Sequence, residues 1–195
     1  IINDGSTDGS LKKAKNILKK FSNYLIHNQE NKGLSTSRNI GISLSKGKVI
    51  ALLDADDIWN ENFLESIHNL YSTFPKASVY GTDYHEKYSD KNILETKKNI
   101  DSKRKNNSFL VEDFFLINKF QSIICQSGIA FKKEVLSEIL FDETIDYAED
   151  VDFYLKCFTK QRLAYNYTVL VTILSNIPNQ ITRLGIKNKT IPNLD

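Results

Sequence analysis

Three carboxylates lie close together directly after an apolar segment. Residues 49–53 read VIALL, and Asp54, Asp56 and Asp57 follow within four positions. Like charges at this spacing repel one another unless a cation or hydrogen-bond donors neutralise them. Mg²⁺ and Mn²⁺ prefer carboxylate oxygens and keep water and substrate phosphates as their other ligands. The spacing therefore predicts a divalent-metal site, with Asp56 or Asp57 as the cap of the next helix as the structural alternative.

The same acids allow a second catalytic interpretation. Phosphatases of the haloacid-dehalogenase type also place Asp-x-Asp after an apolar strand, and in that scheme Asp54 would be a phosphorylated nucleophile. A threonine or valine usually comes two residues after the second aspartate of that motif, whereas this sequence has Ile58. Two strand–helix units also precede the acids here, whereas that motif normally starts the fold. Both departures favour the metal site over the phosphatase.

Two polar stretches nearer the N-terminus could contribute to a ligand site. Residues 3–10 read NDGSTDGS, and Asp4 is placed directly after a strand, where it could accept a hydrogen bond from a base or ribose. Residues 31–39 read NKGLSTSRN, in which Gly33 allows a tight turn and Arg38 is a donor suited to phosphate or to orienting an acid. An Asx-rich turn and an exposed arginine near a helix start are the structural alternatives.

A fourth cluster lies at the predicted start of a late helix. Glu149, Asp150 and Asp152 fall in the first turn of the helix predicted for YAEDVDFYLKCFTK. The helix dipole favours carboxylates there and explains much of their presence. A carboxylate held at a helix start and facing a pocket can also act as a general base. The structural and the functional interpretation are compatible here.

The elements that would position these residues alternate between strand-like and helical segments over the first half of the chain. This order predicts an α/β fold with a mostly parallel sheet and helices on both faces. Residues 163–174 are β-branched and aromatic, which indicates a later strand. The stretch His85–Asn107 lacks periodicity and is predicted to be a long loop, in which the basic residues 97–98 and 103–105 form a solvated run.

Composition limits the class of protein. The 195 residues are 41% hydrophobic and 26% charged, which is typical of one soluble globular domain. A net charge of +2 is far from the basic footprint of a nucleic-acid binder. The two cysteines form no CxxC pair, so neither zinc nor a disulfide framework is indicated and a reducing cytosol is expected. The absence of methionine and the start within IINDGS indicate a fragment.

Taken in series, the four motifs resemble the nucleotide-sugar glycosyltransferases of family 2, which have the GT-A fold. The series is NDGSTDGS, NKGLSTSRNIGISLSKGKVIALLDADDIW, SGIAFKKEVL and FDETIDYAEDVDFYLK, and it matches the family in order and spacing over roughly residues 1–160. The resemblance implies a catalytic domain over residues 1–175, an unassigned tail over residues 176–195, and a missing first strand.

The resemblance also implies a role for each candidate residue on the donor side. Asp56 would be the chief ligand of Mn²⁺ or Mg²⁺, and the metal would bridge the diphosphate. Asp54 would lie beside the ribose and serve as a second metal ligand. Asp4 would contact the base, and Arg38 and Gly33 would help hold the nucleotide.

On the acceptor side, the resemblance implies that Asp150 is the catalytic base and that Glu149 beside it positions a sugar. The family's reaction is a single displacement that inverts the anomeric centre, with a donor such as a UDP-sugar and a carbohydrate or lipid-linked hydroxyl acceptor. The implied role is bacterial surface polysaccharide or glycolipid synthesis, in the cytoplasm or at the inner face of the membrane. The alternative from another class is a non-catalytic nucleotide-sugar-binding domain of a larger synthase.

Overall fold

Nine strands and six α-helices make up the described part of the chain. The structure, a computed structural model, describes residues 1–89, 92–95, 98–101, 104, 107–119, 121–175 and 189–192. The strands are β1 (Ile2–Asp4), β2 (His27–Gln29), β3 (Val49–Ala51), β4 (Asp57–Trp59), β5 (Val79–Ser89), β6 (Asn92–Glu95), β7 (Ser108–Leu110), β8 (Ile129–Lys132) and β9 (Leu163–Leu174). The helices are α1 (Ser10–Leu18), α2 (Leu34–Leu44), α3 (Phe63–Thr73), α4 (Phe114–Ile117), α5 (Lys133–Glu138) and α6 (Glu149–Phe158).

The chain divides into two units. The first unit contains residues 1–46 and 140–153 with the described part of 188–195, and the second contains residues 47–139 with the described part of 154–187. The predicted tail over residues 176–195 lies outside the described residues except for 189–192. Every helix in the described part of the chain is too short or too polar to cross a membrane.

In the first unit, β1 and β2 pair in parallel, with Asp4 opposite Gln29. A parallel pair needs a crossover, which α1 supplies between them. Gly9 before α1 and Gly33 before α2 have φ values of 84° and 89°, a backbone conformation that glycine adopts without strain. These turns bring the end of β1 close to the start of α2.

The second unit contains a seven-stranded sheet in the order β3-β8-β5-β9-β4, with β6 on β5 and β7 on β9. Of its described pairings, β5 with β9 is parallel and the others are antiparallel. This differs from the mostly parallel sheet that the sequence predicts. The strand–helix alternation stops after α3, and most of the antiparallel pairs join strands that are far apart in sequence, such as β3 with β8 and β4 with β9.

The prediction of a long loop over His85–Asn107 is wrong in its first part. β5 continues to Ser89, and β6 forms a hairpin with it in which His85 lies opposite Glu95. All four residues of β6 are exposed, so the alternation that normally marks a strand is missing from the sequence. The order comes instead from β5, which pairs with β9 as far as Lys87 opposite Leu174.

Lys98 lies in the interior of the second unit, although the sequence predicted a solvated basic run there. Its side chain is fully buried and forms an ion pair with the carboxylate of Asp83. Its ammonium group lies 4.8 Å from the ring centre of Tyr84 and 5.8 Å from that of Tyr167. The three other lysines of that run lie outside the described residues. Partners distant in sequence therefore override the local pattern at this lysine.

Replacing Lys98 by methionine should destabilise the protein by about 3–5 kcal/mol, because the Asp83 carboxylate would remain buried without its cation. Urea unfolding followed by circular dichroism measures the change. Glu112→Gln is the matched control, since Glu112 belongs to an ion pair with Arg104 at 3.7 Å whose side chains are 83% and 45% exposed. That control should cost less than about 1 kcal/mol. Equal losses in the two variants would contradict a dominant role for the buried pair.

Candidate active site

The three predicted acids lie where a tight turn joins β3 to β4, with Asp57 as the first residue of β4. The Asp57 backbone N–H donates to the Asp54 carbonyl at 3.1 Å, which closes the turn. The Ser127 hydroxyl accepts from the Asp54 backbone N–H at 3.0 Å and donates to the Asp57 carboxylate at 2.6 Å. The Trp59 indole N–H donates to the Ser127 carbonyl at 2.5 Å. Ser127 thus connects both ends of the acidic turn.

Trp59 anchors this turn to the core of the second unit. Its ring stacks on that of Phe63, with ring centres 4.4 Å apart. Phe63 is fully buried and belongs to the same hydrophobic cluster as Ile67 and Leu70 of α3. The strand after the acids is therefore held by aromatic packing as well as by Ser127.

The electrostatics of the turn divide the acids into two kinds. Burial raises the pKa of Asp57 to about 6, with the charges of Asp54 and Asp56 adding to the increase and the Ser127 hydrogen bond opposing it. Asp57 is half-buried and fastened by Ser127, whereas Asp56 is exposed. Asp57 therefore supports the turn, and Asp56 presents its carboxylate to solvent.

The described residues contain no group of three or more histidine, cysteine or acidic side chains arranged to hold a metal ion. Asp54 and Asp56 could supply one or two carboxylate oxygens of a coordination sphere. Such a donor set suits a cation that takes its remaining ligands from water and from a substrate phosphate. The residues present fit a metal shared with a ligand better than a metal held by protein alone.

Ser127 is a site residue that the sequence argument did not single out. It lies 73 positions from Asp54, in the 3₁₀ turn Gln126–Gly128 that precedes β8. The only signal was its position in the SGIAFKKEVL motif, where a serine has no chemistry of its own to distinguish it. Its function follows from fold geometry, which places it against the turn.

In the first unit, Asp4 and Gly33 lie in contact at the carboxyl end of β1. One Asp4 carboxylate oxygen accepts from the Gln29 side chain at 2.9 Å and from the Lys32 backbone N–H at 2.8 Å. The other accepts from the Gly33 backbone N–H at 3.0 Å. Burial raises the pKa of Asp4, but these hydrogen bonds outweigh it and bring the pKa below its ordinary value. The Asp4 carboxylate therefore holds the loop that leads into α2 through hydrogen bonds to its backbone.

The start of α2 retains an unused polar group. The Ser35 hydroxyl is buried and has no hydrogen-bond partner among the described residues. A buried polar group without a partner is costly and is commonly satisfied by water or a ligand. Ser35 lies two residues after Gly33, at the N-terminus of α2, and the helix dipole favours an anion at that end.

Arg38, Glu149 and Asp150 form the second cluster of the first unit. Arg38 is buried, and its guanidinium donates to the Glu149 carboxylate at 2.6 Å. Burial raises the pKa of Asp150, the charge of Glu149 raises it further, and Arg38 opposes both. Of the two roles that the residue type allowed for Arg38, phosphate binding and orientation of an acid, this contact is with an acid.

The backbone before the acidic pair is strained. Ala148 has a φ of 60°, the left-handed region that residues other than glycine rarely adopt. Its carbonyl accepts from the backbone N–H groups of Val151 at 3.1 Å and Asp152 at 3.3 Å. Ala148 therefore directly precedes α6, whose first residues are Glu149 and Asp150.

Comparison with solved structures identifies the fold class. The crystal structure of S. aureus TarS residues 1–349 in complex with UDP-GlcNAc matches 93% of this chain and 50% of that chain, with a TM-score of 0.68 and 15% sequence identity. This likeness, together with the mixed α/β architecture, shows the GT-A fold that the sequence predicted.

The chain belongs to glycosyl transferase family 2, whose family model matches residues 1–140. Among its relatives, the glycosyltransferase GlyG of Streptococcus pneumoniae is 33% identical over 48% of this chain and 31% of that protein. The minor teichoic acid biosynthesis protein GgaA of Bacillus subtilis is 26% identical over 83% of this chain and 36% of that protein. The chain thus spans less than two thirds of these relatives. Family membership argues against the phosphatase alternative.

Proposed function

We propose that this chain is the catalytic part of an inverting glycosyltransferase that moves a sugar from a nucleoside-diphosphate donor to a hydroxyl acceptor. The observation that carries the proposal is the environment of Asp150. This carboxylate lies in the first turn of α6 next to Glu149, whose charge is balanced by Arg38, and burial raises the pKa of Asp150. A carboxylate with a raised pKa is a stronger base than an exposed one.

In the proposed reaction, Asp150 takes the proton of the acceptor hydroxyl as its oxygen attacks the anomeric carbon. The bond to the nucleoside diphosphate breaks on the opposite face of the sugar, so the configuration inverts. The proton ends on Asp150, and the electron pair leaves with the diphosphate. Glu149 lies beside the base and is available to position a sugar.

The donor side of the proposal rests on Asp4, Gly33 and the start of α2. Asp4 fixes the loop around Gly33 through two backbone N–H groups. The buried Ser35 hydroxyl, two residues after Gly33, has no hydrogen-bond partner among the described residues and is available to a ligand. TarS was solved with UDP and with UDP-GlcNAc, which supports a UDP-sugar as the donor of this chain.

Asp56 and Asp54 are the residues that would hold Mn²⁺ or Mg²⁺. Such an ion, when bound, stabilises the charge that builds on the departing diphosphate. The protein's own contribution is the turn geometry, because Ser127 and Trp59 keep the two carboxylates at the end of β3. Asp57 is occupied by Ser127 and completes the support of the turn.

We place the reaction in bacterial surface polysaccharide or glycolipid synthesis, in the cytoplasm or at the inner face of the membrane. The teichoic acid relative GgaA supports this assignment. The acceptor is accordingly a carbohydrate or a lipid-linked saccharide.

A screen of nucleotide sugars tests the proposal. We expect the protein to bind and slowly hydrolyse one or a few nucleoside-diphosphate sugars, with UDP-sugars first, and to do so faster with Mn²⁺ or Mg²⁺ than with EDTA. Release of the nucleoside diphosphate measures turnover, and calorimetry measures binding. Binding without turnover in the presence of every acceptor tried would favour the non-catalytic sugar-binding domain. If no donor bound and none was turned over, both the glycosyltransferase and the non-catalytic sugar-binding domain would be rejected.

A further inference from the structure

Asn39 of α2 makes a close set of contacts with a segment a hundred residues away. Its side-chain amide N–H donates to the Phe141 carbonyl at 2.9 Å, and its side-chain oxygen accepts from the Phe141 backbone N–H at 3.0 Å. One carboxamide therefore satisfies both backbone groups of a single residue, as a neighbouring strand would. The Asn39 amide also donates to the Glu143 carboxylate at 2.9 Å.

A second contact from α2 holds the same segment. The Thr36 hydroxyl donates to the other carboxylate oxygen of Glu143 at 3.0 Å. Thr36 and Asn39 are three positions apart, so they lie on one face of the helix. That face therefore grips the segment at both Phe141 and Glu143.

Phe141 in turn is the middle layer of a stack that reaches the acidic pair. The Arg38 guanidinium lies 5.1 Å from the centre of the Phe141 ring. On α6, the Phe153 ring lies 4.2 Å from Phe141 and nearly parallel to it, at 10°. Phe153 is one helical turn beyond Glu149, and Arg38 is the residue that pairs with Glu149. The Phe141 ring thus contacts both elements that set the position of Glu149.

We propose that Asn39 is a positioning residue for the Glu149–Asp150 pair, which rests on the proposed function of that pair. Its carboxamide fixes the backbone of Phe141, and the ring of Phe141 contacts Arg38 and Phe153, which is one turn beyond Glu149 on α6. Asn39 acts through these groups and takes no part in proton transfer. A displacement of about 1 Å at a catalytic base can cost about 10²-fold in rate, so small shifts of this stack matter.

Loss of the Asn39 carboxamide should change the pKa of Asp150, because the charges that face Asp150 set that pKa. Burial and Glu149 raise the pKa of Asp150, and Arg38 lowers it. Without the Asn39 carboxamide, Phe141 loses two hydrogen bonds and Arg38 loses a fixed stacking partner. Arg38 then balances the acidic pair less well, so the pKa of Asp150 should rise.

The experiment compares Asn39→Ala with Ser43→Ala in the whole chain. Ser43 lies one turn further along α2, is exposed, and donates only to the Ile40 carbonyl of its own helix, at 2.8 Å. We expect Asn39→Ala to lower kcat by about 10–10²-fold and to change KM for the donor by less than about threefold. The acidic limb of its pH–rate profile should move to higher pH. Ser43→Ala should match the wild type in all three.

A direct titration separates this inference from the proposed function. Carboxyl NMR follows the ionisation of Asp150, with the signal assigned by its loss in Asp150→Asn. If the wild type transfers no sugar, the proposed function fails, and a raised titration midpoint in Asn39→Ala still supports the positioning role. A midpoint equal to or below that of the wild type overturns the positioning role. If Asn39→Ala does not fold, Asn39→Gln replaces it, because this variant adds no charge and displaces the carboxamide by one methylene.

Discussion

Replacing Asp150 by asparagine is expected to abolish sugar transfer while donor binding stays close to that of the wild type. Asparagine has nearly the same shape as aspartate but cannot take a proton from the acceptor hydroxyl. Loss of a general base typically lowers the rate by about 10²–10⁴-fold. Single-turnover transfer measures the loss, and calorimetry with the donor measures binding.

The pH dependence of the wild type should report the same group. The ordinary pKa of an aspartate here is 3.8, and burial together with Glu149 raises that of Asp150 in spite of Arg38. Asp150 acts as a base only when it is deprotonated, so kcat should fall as the pH drops through this raised pKa. The acidic limb should therefore lie above pH 3.8, and the residual rate of Asp150→Asn should lack it.

Asp152→Asn is the matched control for this prediction. Asp152 also lies in the first turn of α6, so its removal takes away the same interaction with the helix dipole. Two residues along a helix point to nearly opposite sides, so Asp152 cannot replace Asp150 as the base. Full turnover by Asp150→Asn, or an equal loss in Asp152→Asn, would exclude Asp150 as the base.

The sequence indicates what chemistry Arg38 can perform, but it does not indicate which residue is its partner. A buried arginine can bind phosphate or orient an acid, and the residue type alone leaves both open. The partner, Glu149, is 111 positions away. The same holds for Asn39 and Phe141, which are 102 positions apart. Local patterns describe what a side chain can do, whereas the fold decides which side chains meet.

The fold shows a similar division between local and distant causes. The strand–helix alternation of the first half and the strand β9 follow from local periodicity, and the structure confirms them. The extension of β5 to Ser89 and the burial of Lys98 depend on pairing with β9 and on Asp83. Because such partners are set by topology, a polar stretch such as His85–Asn107 resembles a loop in sequence although part of it is paired.

The acidic turn is the clearest signal in the sequence, whereas nothing in the sequence indicates that Ser127 supports it. Three acids after an apolar strand predict that something neutralises them, and the structure supplies one hydrogen bond from Ser127 to Asp57. The side chain of Asp56 is exposed, where a cation can reach it. The sequence therefore located the acids, and only the structure separated the supporting acid from the candidate ligand.

Replacing Asp56 by asparagine should remove the metal-dependent part of donor binding. The amide keeps a neutral oxygen but loses the charge that Mn²⁺ prefers in its ligands. Replacing even an outer-shell partner of a metal commonly costs about 10–10²-fold in affinity, so loss of the chief ligand should cost at least that much. Calorimetric titration of the donor with Mn²⁺ and with EDTA measures the difference.

The effect of Asp56→Asn on donor binding should have opposite signs with and without metal, which separates metal coordination from charge repulsion of the diphosphate. Without metal, removing a negative charge near a diphosphate should leave donor binding unchanged or strengthen it, because less repulsion remains. With Mn²⁺, the same substitution should weaken binding. Glu65→Gln removes an exposed charge from α3 and should change neither titration. Unchanged binding of the donor by Asp56→Asn in Mn²⁺ would reject Asp56 as a metal ligand.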